Sequence, residues 1–354
     1  MLRPYTYIKI TDKLGSVIEF DYVHEAETSE SWNNLTDTFT LTFPRNLNKE
    51  ARNIFTGDNA LLKRGDEIEV RHGYYPNLNL IFKGYISGVG AKVPLMIKCE
   101  DEMYLLKNTN IIFPTKRTII TSSISKTGRT KRLKKPRTIV DTYSLDDLLD
   151  SILPDYIHYE CLDVQLAKRA YTNVSVTRIF EDLRSTYGLY SYFRKDENNE
   201  PILHVGFASD ASTGRTVEFK FEENIIDDSN LEYQMADNIF YKVVVKLMDE
   251  NNNVTEYTYG DTDGSQRTFH LYWDTSKTKP DVEKFGKDQL DKLKYTGYKG
   301  SFVTFGEPYV THGDIVKLTS DKMPERDGNY LVKEVKRGLG IGGSRQEIFI
   351  EQKV

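Results

Sequence analysis

The sequence predicts a mainly β fold with an α+β insertion: two tube-like β-barrel or sandwich domains flanking a small α/β domain. Three observations carry this. Apolar and polar residues alternate at period two toward both ends of the chain. Turns rich in glycine, asparagine and proline separate these runs at the short, even spacing of a sandwich or barrel. In the middle the period shifts to that of amphipathic helices. At 354 residues the chain has length for two or three domains. Its 38% hydrophobic and 12% aromatic content excludes a largely disordered polymer.

The opening MLRPYTYIKITDK reads as a strand that begins almost at once, without the charged-then-apolar pattern of a leader. Phe39, Leu41 and Phe43 alternate with Thr38, Thr40 and Thr42, giving a half-buried strand that Pro44 ends. The stretch 48–55 is expected as a short helix closed by Gly57. Strands follow at 66–70, 80–86 and 95–99, the first two joined by a turn from Gly73 to Pro76. The first tube-like β-domain is therefore placed at residues 1–107.

Residues 108–140 are read as a basic arm. Lys116, Arg117, Lys126, Arg129, Lys131, Arg132, Lys134, Lys135 and Arg137 lie in one stretch that holds no acidic residue. The β-prone pieces 118–121 and 137–140 bracket it, and Lys126-Thr127-Gly128 has turn chemistry, so a protruding hairpin is expected. The whole chain carries a formal −5; without these nine residues, 39 basic stand against 53 acidic, a formal −14. A basic segment on an acidic body indicates a local, positioned contact, where a general DNA binder shows a domain-wide footprint. Three roles remain open at this point: a solvated surface arm, an arm steered onto an acidic neighbour, or a lumen or DNA contact. Residues 115–137 contain no aromatic side chain on which bases could stack, which argues against single-strand recognition.

The small α/β domain is placed at 141–215. Ser144 with Asp147 forms a capping pattern ahead of Leu145, Leu148, Leu149, Ile152 and Leu153, one helical stripe that Pro154 stops. A second helix starts at Ser175, presents Val176, Ile179, Phe180, Leu183 and Tyr187 on one face, and ends with Gly188 at C′. A hairpin of 189–194 with 202–207 follows. From 216 to 354 a second tube-like β-domain with one helix is expected. Its strand at 217–221 is followed by the pairing of 241–247 with 254–259, a helix opened by Pro280 and three closing strands.

Two places read alike. Gly65-Asp66 precedes a strand, then a turn, Gly84-Tyr85 in a strand, and a last strand at 95–99; Gly313-Asp314 precedes a strand, then a turn, Gly328-Asn329-Tyr330 in a strand, and a last strand at 346–350. Such a repeat would let three chains supply six similar units, so that a threefold ring imitates a sixfold one. The stretches Tyr295 to Pro308, Gly313 to Leu318 and Asp327 to Val335, with Leu41 to Asn46 and Cys99 to Lys107 near the start, resemble the tail-hub proteins of phages. That group comprises the late control protein D family and the hub part of type VI secretion spike proteins. The resemblance implies a structural baseplate or tail hub: a homotrimeric, pseudo-hexameric ring between the tail tube or distal tail protein and the spike, with DNA or effector passing through as cargo. It implies a place in the virion tail after assembly in the bacterial cytoplasm. The sequence departs from relatives by ending at Val354 without a fused spike or lysozyme domain, so a separate spike chain is expected, and by the basic segment, which maps to no part of the family pattern.

Chemistry is sparse. Cys99 and Cys161 are too few for a disulfide framework or a cysteine-built zinc site and read as small core hydrophobes. The histidines form no H-x-H or H-x-x-x-H pair, and His158 with Cys161 lacks further ligands. The glycines of 338–343 precede no helix and read as a β-turn, not a phosphate cradle. Asp196, Asn198 and Glu200 begin like a calcium loop, but Pro201 stands where the turn glycine must be. Residues 260–264 read as a hairpin loop, and Asp146, Asp147 and Asp150 as the solvated face and N-terminal charge of a helix. No enzyme activity, catalytic residue, cofactor, metal or membrane insertion is therefore expected. Two alternatives are kept: a carbohydrate- or receptor-binding tail module carried by exposed aromatics, and a cell-wall hydrolase, which would need a paired-carboxylate cleft.

Overall fold

The computed structural model describes residues 4–21, 23–43, 46–47, 52–53, 61–113, 121–124, 130–133, 143–166, 170–196, 198–207, 211–248, 254–272, 279–340 and 342–354. It is mainly β, with large antiparallel sheets and short helical insertions.

The first third holds β1 (Pro4–Thr11), β2 (Val17–Phe20), β3 (Glu25–Ser31), β4 (Thr38–Phe43), β5 (Asn46–Leu47), β6 (Arg52–Asn53), β7 (Glu67–Tyr74), β8 (Asn77–Val89) and β9 (Leu95–Glu100). Apart from the small β5–β6 ladder, these pair in the order β2-β1-β7-β8-β9-β4-β3. Period-two alternation sends Ile8 and Ile10 of β1, Phe39 and Leu41 of β4, Ile68 and Val70 of β7, and Ile97 and Cys99 of β9 into one core. Phe39 stacks on Phe82 with ring centroids 5.2 Å apart. The helix expected at 48–55 is corrected: Asn46–Leu47 pairs antiparallel with Arg52–Asn53, and the rest of that span lies outside the described residues. A helix there would have had only Ala51, Ile54 and Phe55 as apolar residues, too little to offset helix nucleation.

The middle holds α1 (Met103–Lys107), β10 (Asn110–Phe113), β11 (Thr121–Ile124), β12 (Thr130–Leu133), β13 (Tyr143–Ser144), α2 (Leu145–Ile152), β14 (His158–Cys161), β15 (Gln165–Leu166), β16 (Tyr171–Ser175), α3 (Val176–Tyr187), β17 (Tyr190–Lys195) and β18 (Pro201–Gly206). The stripes of α2 and α3 bury Leu145, Leu148, Leu149, Ile179, Phe180 and Leu183 in one core with Phe193 of β17 and Leu203 and Val205 of β18. Ser144 and Asp147 form the reciprocal capping box, and Gly188 takes the left-handed conformation at φ 67°. Met103 and Leu106 of α1 pack into this helical core, although they precede residue 107.

The last third holds β19 (Thr216–Lys220), β20 (Ile225–Asp227), β21 (Leu231–Gln234), β22 (Tyr241–Met248), β23 (Val254–Gly260), β24 (Ser265–Tyr272), α4 (Lys279–Leu293), β25 (Gly297–Phe305), β26 (Ile315–Thr319), β27 (Gly328–Gly340) and β28 (Gly343–Lys353). Four strands, not three, follow the helix, because the glycine-punctuated stretch after Tyr295 is itself a strand that pairs with β28. Helix α4 packs on a separate sheet, β23-β22-β24, around Val243, Val245, Leu247 and Val282. The main sheet of this third runs β19-β26-β27-β28-β25, with β20 and β21 on the outer side of β25. Phe219, Phe302, Val316, Leu318, Val332 and Ile348 form its core. Pairing of β3 with β27 fuses the first and last thirds into one 14-stranded sheet. Among the described residues no helix is long and apolar enough to cross a membrane.

Candidate assembly surface

The repeat read from the sequence recurs in the backbone hydrogen bonds of its two Gly-Asp turns. Gly65 and Gly313 both adopt positive φ, at 89° and 84°. Gly65 N donates to Ile86 O at 2.8 Å and Gly313 N to Val332 O at 2.8 Å; Ile86 N returns to Asp66 O at 2.9 Å and Val332 N to Asp314 O at 2.8 Å. Each aspartate then clasps its own turn. Lys63 N donates to Asp66 Oδ2 at 2.7 Å, and Thr311 N to Asp314 Oδ2 at 2.8 Å. Glycine supplies the left-handed step and aspartate satisfies a donor three residues back, which is why the pair Gly-Asp marks both sites. The register of β8 on β9 slips between Ile86 and Gly88, and that of β27 on β28 slips between Val332 and Glu334, the same bulge at matching positions. Strand order agrees as well: β3-β4-β9-β8-β7 in one unit matches β21-β25-β28-β27-β26 in the other. The units differ at their first strand, since β1 is antiparallel to β7 whereas β19 is parallel to β26.

The seam between the units is β3 on β27, from Ala26 opposite Leu339 to Ser31 opposite Glu334. Val335, Arg337 and Leu339 share the buried phase of β27, and Ala26, Thr28 and Glu30 that of β3. An arginine and a glutamate thus occupy core positions, 3% and 7% exposed. Arg337 Nη2 meets Glu30 Oε1 at 2.9 Å, donates to the carbonyl of Val310, and lies 4.4 Å above the Tyr309 ring. Burial pushes the Glu30 carboxyl up, but the charges of Arg337 and Lys195 and the hydrogen bond from Arg337 together outweigh it and hold the group below its ordinary value. Trp32, just past β3, donates to Val332 O at 3.2 Å and packs edge-on against Tyr190 of β17 at 5.4 Å, so one side chain touches all three thirds. Sequence reasoning missed Glu30, Arg337 and Trp32. The available signal was a charge standing in the apolar phase of an alternating strand.

Beside the seam lies a cavity of about 110 Å³ walled by Glu30, Asp37, Asp101, Glu102, Lys195 and His312 among others. Its carboxylates already have work. Asp37 Oδ1 accepts Ser31 N at 2.9 Å; Asp101 accepts Asp37 N at 3.1 Å and Met103 N at 3.1 Å. Burial raises Asp37 well above the usual carboxylate range, and lifts Asp101 and Glu102 to about 7 each. Lys195 Nζ donates to Leu80 O at 2.7 Å and Lys83 Nζ to Glu200 Oε2 at 2.7 Å, pinning the β17–β18 turn to β8. At about 110 Å³ the cavity is smaller than the ~300 Å³ at which pockets for organic ligands begin.

The basic candidates are only partly described. Lys131 and Arg132 lie on β12, which pairs antiparallel with β11 in a hairpin; Lys116, Arg117, Lys126, Arg129, Lys134, Lys135 and Arg137 lie outside the described residues. Other motifs resolve into turns. Asp196 Oδ1 accepts Asn198 N and Glu200 N at 2.8 and 2.7 Å, closing the β17–β18 turn. Gly340 pairs with Gly343 at the β27–β28 hairpin, and Asp261 accepts Lys294 Nζ at 2.9 Å beside β23. Asp146 and Asp150 do more than face solvent: both accept the Tyr159 hydroxyl, at 2.9 and 2.7 Å. Among the described residues no group of three potential metal ligands is assembled.

No protein-family model matches the chain, and neither does any curated protein. Solved structures do. A tail protein from Neisseria meningitidis superimposes with a TM-score of 0.58 at 14% identity, over 99% of this chain and 96% of that one. The 43 kDa tail protein of prophage MuSo2 from Shewanella oneidensis gives 0.58 at 12% identity, over 99% and 98%. This chain has the fold of a phage tail protein. An Escherichia coli component of the type VI secretion system, described as similar to bacteriophage T4 tail proteins, gives 0.54 at 10% identity over 98% of this chain and 76% of that one. The resemblance drawn from the Gly-Asp turns and the closing strands thus holds at the level of fold. The tail-protein fold spans the chain from end to end, with the repeated sheet units and the helical middle included.

Proposed function

We propose that this chain is a structural hub of a phage-type tail or a related injection apparatus. Three copies form a homotrimer that closes as a pseudo-sixfold ring, joining the tail tube or a distal tail protein to a spike. The observation that carries the reading is the repetition of one sheet unit within a single polypeptide, with matching Gly-Asp clasps, bulge and strand order. Each copy contributes two similar units, so three copies offer six similar faces to a sixfold tube while keeping threefold symmetry for a spike. DNA, or an effector in a secretion apparatus, is the passing cargo of the axial hole. The role is mechanical and not enzymatic, calls for no cofactor, and belongs to the virion tail after assembly in the bacterial cytoplasm. The acidic body and its basic 116–137 segment support an arm that registers on a neighbouring acidic surface.

Native mass spectrometry of the chain alone and with candidate tube and spike chains tests this. A trimer, formed either alone or on mixing, is the expected result. A chain that stays monomeric in the presence of both partners ends the proposal.

A further inference from the structure

The cavity beside the seam stands where all three thirds of the chain meet. Thr28 and Glu30 come from β3, Asp37 from the turn after it, and Asp101 and Glu102 from the end of β9. Lys195 comes from β17 and His312 from the approach to β26. The space holds several water molecules at its volume of about 110 Å³. Two atoms on its wall, Thr28 Oγ1 and His312 Nδ1, have no hydrogen-bond partner among the described residues, and their side chains are buried.

Charge does not balance there. Nearby cations are taken by other carboxylates: Arg337 by Glu30, Lys83 by Glu200, Lys107 by Glu100, Arg194 by Glu160 and Arg215 by Asp314. Lys195 Nζ donates to Leu80 O, and from there its charge reaches Glu30 and Asp37. His312 Nε2 lies 4.0 Å from Asp37 Oδ2, but burial disfavours its charged form. Tyr85 brings a hydroxyl to Glu102, and Glu67 of β7 adds a further negative charge. Three enclosed carboxyls, Asp37, Asp101 and Glu102, thus look onto Lys195 as the one cation not paired to a carboxylate among the described residues. Ionised together, they would repel one another in a space poor in solvent.

The closure of this space is slight. The β17–β18 hairpin is held to β8 by Lys195 on Leu80 O and by Lys83 on Glu200, and an ion pair as exposed as the latter holds weakly. The apolar residues of the hairpin, Phe193, Leu203 and Val205, belong to the helical core and not to that of the first sheet unit. Between the two cores stands a small cluster of Trp32, Tyr192 and Ala211.

We infer that this joint is a proton-operated latch: the β17–β18 hairpin stays seated on β8 while Asp37, Asp101 and Glu102 hold protons, and lifts to admit water when they ionise. The inference goes beyond the ring reading and stands independently of it. The seated joint binds more protons than the open one, in which the same carboxyls face water. Seating is therefore complete below the ordinary carboxylate range of about pH 4 and weakens as pH rises toward 7, where burial places Asp101 and Glu102. The open population grows by up to about tenfold per pH unit for each group that gives up its proton. Opening breaks neither core; it frees the hairpin end of the helical middle from the sheet.

Hydrogen–deuterium exchange of the intact chain, corrected for the intrinsic rate at each pH, tests this. The amides of Ser31 and Asp37 report the joint, because they bond to Asp37 Oδ1 and Asp101 Oδ2. Their protection is expected to fall at least about tenfold between pH 5.5 and pH 7.5, while the β4–β9 ladder keeps its own. Unchanged protection of Ser31 and Asp37 overturns the latch, and so does an equal loss in the β4–β9 ladder, which is global unfolding. Glu102→Gln keeps the shape and removes the titration, so the fall should shrink by roughly threefold or more; adding Asp101→Asn should shrink it further. An undiminished fall in folded Glu102→Gln protein overturns the assignment. Glu200→Gln cuts a pin and leaves the proton sites, so it should lower protection by a similar factor at every pH. A Glu200→Gln protein that loses the pH response instead places the switch in the Lys83–Glu200 pair and overturns the latch.

Discussion

Replacing Arg337 by alanine should destabilise the junction of the two sheet units far more than replacing Arg337 and Glu30 together. The Arg337–Glu30 contact is 2.9 Å, with both side chains buried. At that separation the attraction is about 6 kcal/mol for an effective dielectric near 20. Desolvation of the two ions costs several kcal/mol each and consumes most of that gain. The intact pair is thus close to neutral in net terms, but a lone Glu30 in the same position is not. Arg337→Ala also removes the hydrogen bond to Val310 O and the contact with Tyr309. The expected cost of the single change is about 3–5 kcal/mol, while the double replacement Glu30→Met with Arg337→Met returns to within about 2 kcal/mol of the parent. Urea unfolding followed by Trp32 fluorescence, in a Trp273→Phe background, reads the junction directly because Trp32 bridges to Val332 and Tyr190. The deficit of the single variant should also shrink between pH 8 and pH 5. Without the guanidinium, burial raises the Glu30 pKa above its unfolded value, and stability is lost as pH rises through it. A double variant as unstable as the single one would refute the reasoning, since packing rather than an uncompensated charge would then be the cause.

Three further outcomes are expected. Gly300 has φ 110° and an added Cβ would sit 2.1 Å from Asn230 O, so Gly300→Ala should cost roughly 2–4 kcal/mol locally and expose the amides of Leu231 to Gln234 to exchange, read by hydrogen–deuterium exchange. Asp101 and Glu102 titrate near 7 because burial disfavours their charged forms; the folded state therefore holds more protons than the unfolded one between about pH 4 and 7. Their contribution to stability is complete below about pH 4 and declines up to about pH 7, by at most about 1.4 kcal/mol per pH unit for each group, and Asp101→Asn should flatten a stability–pH profile measured by urea midpoint. Changing all nine basic residues of 116–137 to glutamine should weaken self-association or partner capture at low salt and leave little difference at high salt, measured by sedimentation; equal binding at every ionic strength would remove the electrostatic arm.

Some of this architecture is local and so was written in the sequence. Alternation in 38–43 required only that each residue know its neighbours two places away. The Ser144–Asp147 box and the Gly188 cap act over three or four residues, and each Gly-Asp clasp closes within its own turn. Two such clasps, read as words, were enough to suggest a duplicated sheet unit. Other features had no local signature. The β3–β27 seam joins residues about three hundred positions apart, and its partner was decided by which sheet edge stood open once each unit had folded. That Arg337 is buried follows from the opposing Glu30, not from any neighbour in the sequence. The short segment 48–55 looked helical residue by residue but lacked the apolar stripe that would have let tertiary packing hold a helix. Helix α4 was legible as a helix, yet its docking on β22 and β23 in a separate core could be settled only by the positions of Val243, Val245 and Val282 in space. Turn and helix signals are short-range because they concern one stretch of backbone and its own donors and acceptors. Strand partnership and buried charge are long-range, because an edge or an ion has meaning only against the surface that covers it.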